Sequence, residues 1–253
     1  MNSSPLVSII TPSYNCADTL LETADSVFKQ THANWEWLIT DDCSDSKTKL
    51  LLEKLKRSDP RISVQSNTQN RGAAVTRNSS LKRAQGDFIA FLDSDDLWLP
   101  EKLSQQITFM GESIDFSFTA YEVVDHKNNS LNQVVDGNQI RAFGYEDMLR
   151  KQATLGCSTV MLRRTAFSDL QMPLLRTGQD YAFWLKLLRS GETRAHVLST
   201  PLTRYRIMPN SISRNKIKKA KRQWQIYREV ENLHFIKSVE CFCYYAVRAV
   251  FRR

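Results

Sequence analysis

Phe88-Ile89-Ala90-Phe91-Leu92-Asp93-Ser94-Asp95-Asp96 places five apolar side chains directly before three carboxylates in four positions. An apolar run this short, following Gly86 and ending in a polar cluster, reads as a strand buried on both faces. Acids at the carboxyl end of such a strand stand where open α/β sheets bind their ligands. Three similar runs precede it, beginning at Val7 (VSII), Trp35 (WEWLIT) and Ile62 (ISVQ), and the four starts lie 26–28 residues apart. That interval holds one strand, one helix and two loops.

The intervening segments carry helical signals. Leu20, Leu21, Ala24, Val27 and Phe28 share one helical face, and Thr19 and Glu22 have capping-box spacing. Ala73, Ala74, Arg77, Leu81 and Ala84 do the same before Gly86. Strand alternating with helix predicts an α/β fold whose central, mainly parallel sheet is flanked by helices. After Asp96 the rhythm changes. A helix opens at Pro100 and runs to about Met110, and short strands are expected at Phe116–Phe118, Tyr121–Val124 and Cys157–Leu162. Residues 125–140 read as a polar loop, followed by a helix at Gln179–Arg189 and a strand at Ala195–Leu198. No repeat or linker separates the halves, so the second reads as a mixed continuation of the same sheet.

Composition bounds the rest. The 253 residues are 42% hydrophobic and 25% charged, with 8 Gly and 7 Pro, which excludes collagen-like, low-complexity and wholly disordered chains. Five cysteines without a CxxC pair, or a histidine at zinc spacing, read as reduced thiols of a cytosolic protein. The N-terminal MNSSPLVSII lacks the basic and apolar regions of a signal peptide. Net charge is +8, yet residues 204–253 carry 13 Lys/Arg against Glu229, Glu231 and Glu240, so the tail alone is +10 and the remainder −2. Such asymmetry suits an anionic surface. Residues 235–251 form a largely apolar run interrupted by Lys237, Glu240 and Arg248, short of the ~20 apolar residues of a spanning helix. With Lys216, Lys218, Lys219, Lys221 and Arg222 upstream, it reads as a basic amphipathic helix lying on anionic lipid, or as a helix packed on protein. Nothing else in the chain suggests nucleic acid.

Three polar clusters follow predicted strands: Thr11-Pro12-Ser13-Tyr14-Asn15, Asp41-Asp42-Cys43-Ser44 and Asp93-Ser94-Asp95-Asp96. If the strands are parallel, five carboxylates share one crevice, and their repulsion calls for a cation or positive partners. Alternate carboxylates suit Mg²⁺ or Mn²⁺ with positions left for phosphate oxygens, although a solvated turn before a helix has the same composition. Asp41-Asp42 reads equally as a turn, and Tyr14 as a ring that could stack on a nucleobase. Arg71 and Arg77 suit phosphate or carboxylate, or a surface ion pair. Neither GxGxxG nor GxxxxGK[ST] occurs, which removes the usual dinucleotide and P-loop machinery. Asp180, after Gly178-Gln179, is either a helix N-cap or a general base. Arg204-Tyr205-Arg206 with Ser211-Ile212-Ser213 offers a phosphate-clamping loop or a solvated surface.

Together these clusters resemble glycosyltransferase family 2, inverting enzymes of GT-A fold that build bacterial surface polysaccharides. The text that carries the resemblance is VSIITPSYNCADTLLETADSVFKQTHANWEWLITDDCSDSKT, QNRGAAVTRNSSLKRAQGDFIAFLDSDDLWLPEKL, GQDYAFWLKLLRSG and RYRIMPNSIS. It implies that Pro12, Tyr14 and Asp42, with Asp41 beside them, line a nucleotide-base pocket. Asp93 and Asp95 would be a DxD motif holding Mn²⁺ or Mg²⁺ and the donor diphosphate, with Ser94, Arg71, Arg77 and Arg206 completing the nucleotide-sugar site. Asp180 would be the base. Gln179 departs from the Glu-Asp common in the family, which leaves the acceptor-orienting role of that first acid open. The resemblance divides the chain into a GT-A domain over 1–214, with a nucleotide-binding half at about 5–100 and an acceptor half at 101–214, and a basic helical tail at 215–253.

The implied activity is inverting transfer of a hexosyl or N-acetylhexosaminyl group from a UDP-sugar to a glycan or lipid-linked acceptor. The implied place is the inner face of the cytoplasmic membrane, with a second copy of the chain as a further candidate partner. An impaired sugar-nucleotide-binding adaptor is the alternative. Nucleotidyl transfer fits less well, because TPSYNCADT is neither glycine-rich nor basic.

Overall fold

A computed structural model describes residues 4–208 and 216–251. The four apolar runs form β1 (Val7–Ser13), β2 (Trp35–Asp41), β3 (Ile62–Ser66) and β4 (Phe88–Phe91). They pair in parallel in the order β3-β2-β1-β4. Side chains alternate between two cores: Val7, Ile9, Trp37, Ile39 and Ala90 enter one, and Ile10, Leu38, Ile89 and Phe91 the other. This is the period-two burial expected of strands covered on both faces.

Helices α1 (Leu20–Phe28), α2 (Ser46–Ser58) and α3 (Ala73–Leu81) connect these strands. Asp45 caps α2 by accepting the Thr48 N–H at 2.8 Å, an interaction typically worth about 1 kcal/mol. The Thr19–Glu22 capping box of α1 does not form. The Thr19 hydroxyl donates instead to the Ser94 carbonyl at 2.8 Å, and Glu22 pairs with Arg206. Both residues are recruited by the acidic loop region.

The second half extends the sheet. β5 (Leu97–Trp98), α4 (Lys102–Met110), β6 (Phe116–Asp125), β7 (Ser130–Val135), β8 (Ala142–Phe143), α5 (Tyr145–Leu149), β9 (Val160–Arg163), α6 (Gln179–Leu188) and β10 (Ala195–Ile207) follow in turn. The full order is β3-β2-β1-β4-β9-β6-β10-β5, with β7 on β6 and β8 on β10. Strand β9 runs antiparallel to both β4 and β6, whereas β6 and β10 pair in parallel.

The expected strands at Phe116–Phe118 and Tyr121–Val124 are one strand, and the expected loop at 125–140 contains β7. A hairpin joins them: Asp125 accepts the Lys127 and Asn129 N–H groups while Asn128 takes φ 67°. Its exposed residues, SLNQVV, are too polar to announce a strand. Cys157–Thr159 is a 3₁₀ turn preceding β9, and the strand begun at Ala195 continues for 13 residues.

The tail forms α7 (Lys216–Gln225), a π turn (Ile226–Val230) and α8 (Phe235–Phe251). It packs on the body. The buried Tyr227 hydroxyl donates to the Leu149 carbonyl at 2.6 Å, Glu231 accepts from Tyr145 and Arg189, and Arg150 pairs with Glu240. Ser211, Ile212 and Ser213 lie outside the described residues.

Lys102 is fully buried on α4, its ammonium 4.0 Å from the Trp98 ring centroid and without a hydrogen-bond acceptor. Burial alone pushes its pKa well below the usual lysine range. The unfolded chain then binds more protons than the native one across the interval up to 10.5, and stability rises with pH there. Lys102→Met should therefore raise Tm at pH 7, by about 4 °C or more for a recovery on the order of 2 kcal/mol. The advantage should shrink toward pH 10; melting curves at both pH values check this.

Candidate active site

The parallel register brings the ends of β1, β2 and β4 together: Ser13 stands beside Asp41, and Ile10 beside Phe91. The predicted clusters therefore share one rim. After β1, Asn15 adopts φ 47°, donates its N–H to the Ser44 hydroxyl at 2.9 Å and accepts the Asp45 N–H at 2.8 Å. This latch between two loops leaves Pro12 half-buried and Tyr14 52% exposed at the rim.

Asp41 is 0% exposed, with a carboxylate that accepts from the Ser44 N–H and hydroxyl and from Ser13. It shapes the β2 turn from behind and does not face the crevice. Asp42 accepts the Asn67 amide at 2.9 Å and the Arg71 and Gly72 N–H groups at 2.8 and 2.7 Å. Burial opposes its ionisation, but these donors hold the carboxyl below the usual aspartate range. Gly72 has φ 87°, and a Cβ there would lie 2.9 Å from the Arg176 guanidinium, which donates to Asn70. Thus Asp42 fixes the Asn70-Arg71-Gly72 loop, and Arg71 projects from it exposed to solvent.

The acidic run is held from several sides. The Ser94 carbonyl accepts the Thr19 and Thr23 hydroxyls at 2.8 and 3.1 Å. The Asp93 N–H donates to the Ser158 hydroxyl oxygen at 3.0 Å, and that hydroxyl donates to the buried Asp96 carboxylate at 2.5 Å. Asp96 also accepts the Arg206 N–H at 3.0 Å. Burial and the neighbouring Asp93 push the Asp95 carboxyl up to about 6, and burial with both neighbours drives Asp96 well up. Asp96 is the internal anchor, while Asp93 and Asp95 remain half-buried at the surface of the rim.

Arg77 is 4% exposed and donates from Nη2 to Asp93, while its Nε and Nη1 have no acceptor. Burial works against its charge, but the fields of Asp93 and Asp180 hold it firmly protonated. One guanidinium therefore lies within electrostatic reach of both the acidic run and the candidate base.

Arg206 is placed differently from its expected role. It is buried, pairs with Glu22 at 2.5 Å and donates to Asn128 at 3.3 Å. Its side chain fastens β10 to α1 and is already engaged there. Its field also favours the ionised form of Asp95.

Asp180 occupies the first turn of α6, but the N-cap is Gly178 at φ 67°. The N-cap reading of Asp180 does not hold, and its half-buried carboxylate has no hydrogen bond or ion pair among the described residues. Asn78, next to Arg77 on α3, exchanges two hydrogen bonds with the Met172 backbone, at 2.9 and 2.7 Å. That clasp carries the loop leading to Asp180 onto α3. Gln179 keeps a buried Oε1 without a donor.

Sequence reasoning missed Ser158 and Glu22. An isolated serine in Gly156-Cys157-Ser158-Thr159 carries no signal, and Glu22 looked like a capping residue. Among the described residues no group of three or more His, Cys, Asp or Glu is gathered around one point. Two hard carboxylates at an open rim suit a divalent ion completed by substrate phosphates, more than an all-protein cage.

Residues 8–170 match the family profile for Glycosyl transferase family 2. Over 253 residues the chain is 46% identical to TuaG of Bacillus subtilis, a glycosyltransferase named for teichuronic acid biosynthesis, covering 100% of this chain and 99% of that one. It is 41% identical over 229 residues to WfgD of Escherichia coli, a UDP-Glc:alpha-D-GlcNAc-diphosphoundecaprenol beta-1,3-glucosyltransferase, covering 90% and 87% of the two chains. The fold is similar to that of S. aureus TarS 1-349 in complex with UDP-GlcNAc, with a TM-score of 0.71 at 24% identity over 88% of this chain and 64% of that one. It is also similar to the mannosyltransferase PcManGT of Pyrobaculum calidifontis in complex with GDP-Man and Mn²⁺, with a TM-score of 0.71 at 16% identity over 99% and 76%. These structural likenesses establish the GT-A arrangement.

A carboxyl raised to about 6 from 3.8 stabilises the fold while protonated and loses that contribution as pH rises through about 6. In metal-free buffer Asp95→Asn should therefore melt higher than the parent at pH 7.5, with the gap closing toward pH 4. A lower Tm at pH 7.5 would contradict the account of Asp95 as a carboxyl whose ionisation is opposed by burial and by Asp93.

Proposed function

The chain belongs to glycosyltransferase family 2, and on that premise we propose that it moves a sugar from a UDP-sugar to a hydroxyl of a lipid-linked glycan, with inversion, in the synthesis of a bacterial surface polysaccharide. The observation that carries the reading is the Asp180 carboxylate, which has no hydrogen bond or ion pair among the described residues, shares the field of Arg77 with Asp93 and follows the loop that Asn78 clasps. The identity of the relatives supports the UDP-sugar and the lipid-linked acceptor.

Pro12 and the exposed Tyr14 present an apolar surface to a nucleobase, beside the loop fixed by Asp42. Asp93 and Asp95 would hold Mn²⁺ or Mg²⁺, which when bound there would neutralise charge on the departing diphosphate. Arg77 offers two unpaired nitrogens, Nε and Nη1, beside its ion pair with Asp93. Ser94 positions the turn, and Arg71 supplies an exposed cation for donor phosphate. Asp180 accepts the proton of the acceptor hydroxyl. That oxygen attacks the anomeric carbon as the bond to the diphosphate oxygen breaks, and the electron pair leaves with the diphosphate. One displacement inverts the centre and needs no covalent nucleophile.

The tail supports docking on an anionic cytoplasmic membrane surface, beside a lipid-linked acceptor. On α8 the side chains of Ile236, Val239 and Val247 are exposed, Ile236 at 76%, and on α7 Lys218, Lys219 and Lys221 face solvent. No helix among the described residues is long and apolar enough to cross a membrane. A shallow apolar face with lysines beside it gains both burial and about 1 kcal/mol per basic residue near anionic lipid.

Two measurements test this reading. Asp180→Asn should lower kcat on the order of 10²-fold or more with donor affinity unchanged; equal loss of both would point to a structural role. Sedimentation with phosphatidylglycerol vesicles should capture the parent at low salt. Ile236→Asp with Val247→Asp, or Lys219→Glu with Lys221→Glu, should release it without lowering Tm.

A further inference from the structure

We infer that the C-terminal segment is part of the catalytic apparatus: α7 and the π turn after it set the position of Asp180, with Arg222 and Ile226 as positioning residues. The inference rests on the reading of Asp180 as the base.

Asp180 follows Gly178, whose φ of 67° turns the chain into α6. What fills the space beside that glycine comes from the tail. A Cβ at Gly178 would lie 3.1 Å from Ile226 Cδ1 and 3.4 Å from Arg222 Cγ, so both side chains close directly on the turn. Arg222 Nε also donates to the Thr177 hydroxyl at 3.0 Å, and its Nη1 donates to Gln225 at 2.7 Å. The second bond orients the guanidinium from within its own helix. Ile226 is almost fully buried and begins the π turn. Interruptions of this kind in helices are frequent at functional sites.

The far side of Asp180 is held by the same segment. Tyr181 donates to the Met148 carbonyl at 2.9 Å and Tyr227 donates to the adjacent Leu149 carbonyl, so a body tyrosine and a tail tyrosine are fastened to one turn of α5. Tail residues thus meet Thr177 and the Gly178 turn and share a core cluster with Tyr181, on both sides of Gln179-Asp180, while Asp180 itself has no partner among the described residues. On α7, Arg222, Gln223 and the following Ile226 and Tyr227 turn inward, whereas Ile217, Lys219 and Lys221 turn outward. A freely attached anchor would not need that inward face. A base must sit within a fraction of an ångström of its productive place, and a misplacement of about 1 Å can cost 10²-fold in rate.

The test uses the full chain with UDP-sugar and acceptor, comparing Arg222→Ala, Thr177→Val, Ile226→Ala and the Thr177→Val/Arg222→Ala pair. Each single variant should lower kcat roughly 10- to 100-fold with donor affinity near the parent value, and Arg222→Ala and Thr177→Val should also keep a Tm near that of the parent. Arg222→Lys, which can still donate to Thr177, should recover most of the rate. The pair should lose no more than its worse single member, because both remove one interaction. Parent-like kcat in the folded variants, or loss of donor affinity in proportion to rate, overturns the inference. Ile226→Ala opens a small void; if it melts early, the isosteric Thr177→Val decides. Asp180→Asn run alongside keeps the two readings apart: parent-like turnover there removes the base, whereas an inactive Asp180→Asn with fully active tail variants removes only the positioning role.

Discussion

Three carboxylates in four residues at the end of a buried strand repel one another, and much of the surrounding architecture answers that constraint. Arg77 is buried against Asp93, Ser158 bonds Asp96, and the Arg206 backbone supplies a second donor to Asp96. These partners come from a helix, a turn before the inserted antiparallel strand, and the last strand of the sheet. Compensation is incomplete: Asp95 has its carboxyl pushed up to about 6 and Arg77 keeps two nitrogens, Nε and Nη1, without acceptors. A rim left partly unsatisfied in both signs is suited to a ligand that carries phosphate and brings a cation.

The same constraint links the two halves. Arg77 lies between the fields of Asp93 and Asp180, and its neighbour Asn78 holds the loop that delivers Asp180. Arg176, from that same loop, reaches back to Asn70 beside Gly72. The two halves of the chain therefore meet on α3, one short helix whose side chains bond both the acidic run and the loop before Asp180.

Strands β1, β2 and β4 were legible because each is buried on two faces, which leaves an apolar run no helix of that length would need, while the edge strand β3 buries only Ile62 and was legible from its spacing. The acidic rim was legible for a related reason, since parallel strands put their carboxyl ends side by side. What escaped was set by distance in sequence or by polar composition. Glu22 and Arg206 meet across 184 residues, so one looked like a cap and the other like a free cation. Asp41 and Asp42 are adjacent, yet only three-dimensional packing turns Asp41 inward to Ser44 and Asp42 toward the Arg71 loop. The hairpin strand β7 is polar and exposed, with no alternation to read. The tail's charge was visible, but its inward face on α6 was not, because Arg222 and Ile226 look like any residues of an amphipathic helix.

The central claim is that one displacement, driven by Asp180 across the acidic rim, transfers the sugar. The anomeric configuration of the product tests it most directly. Proton NMR of the product made from an α-linked UDP-sugar should show a newly formed β linkage from the first turnovers onward. An α linkage would require two displacements or a front-face path, and would contradict a single attack from the base's side of the crevice.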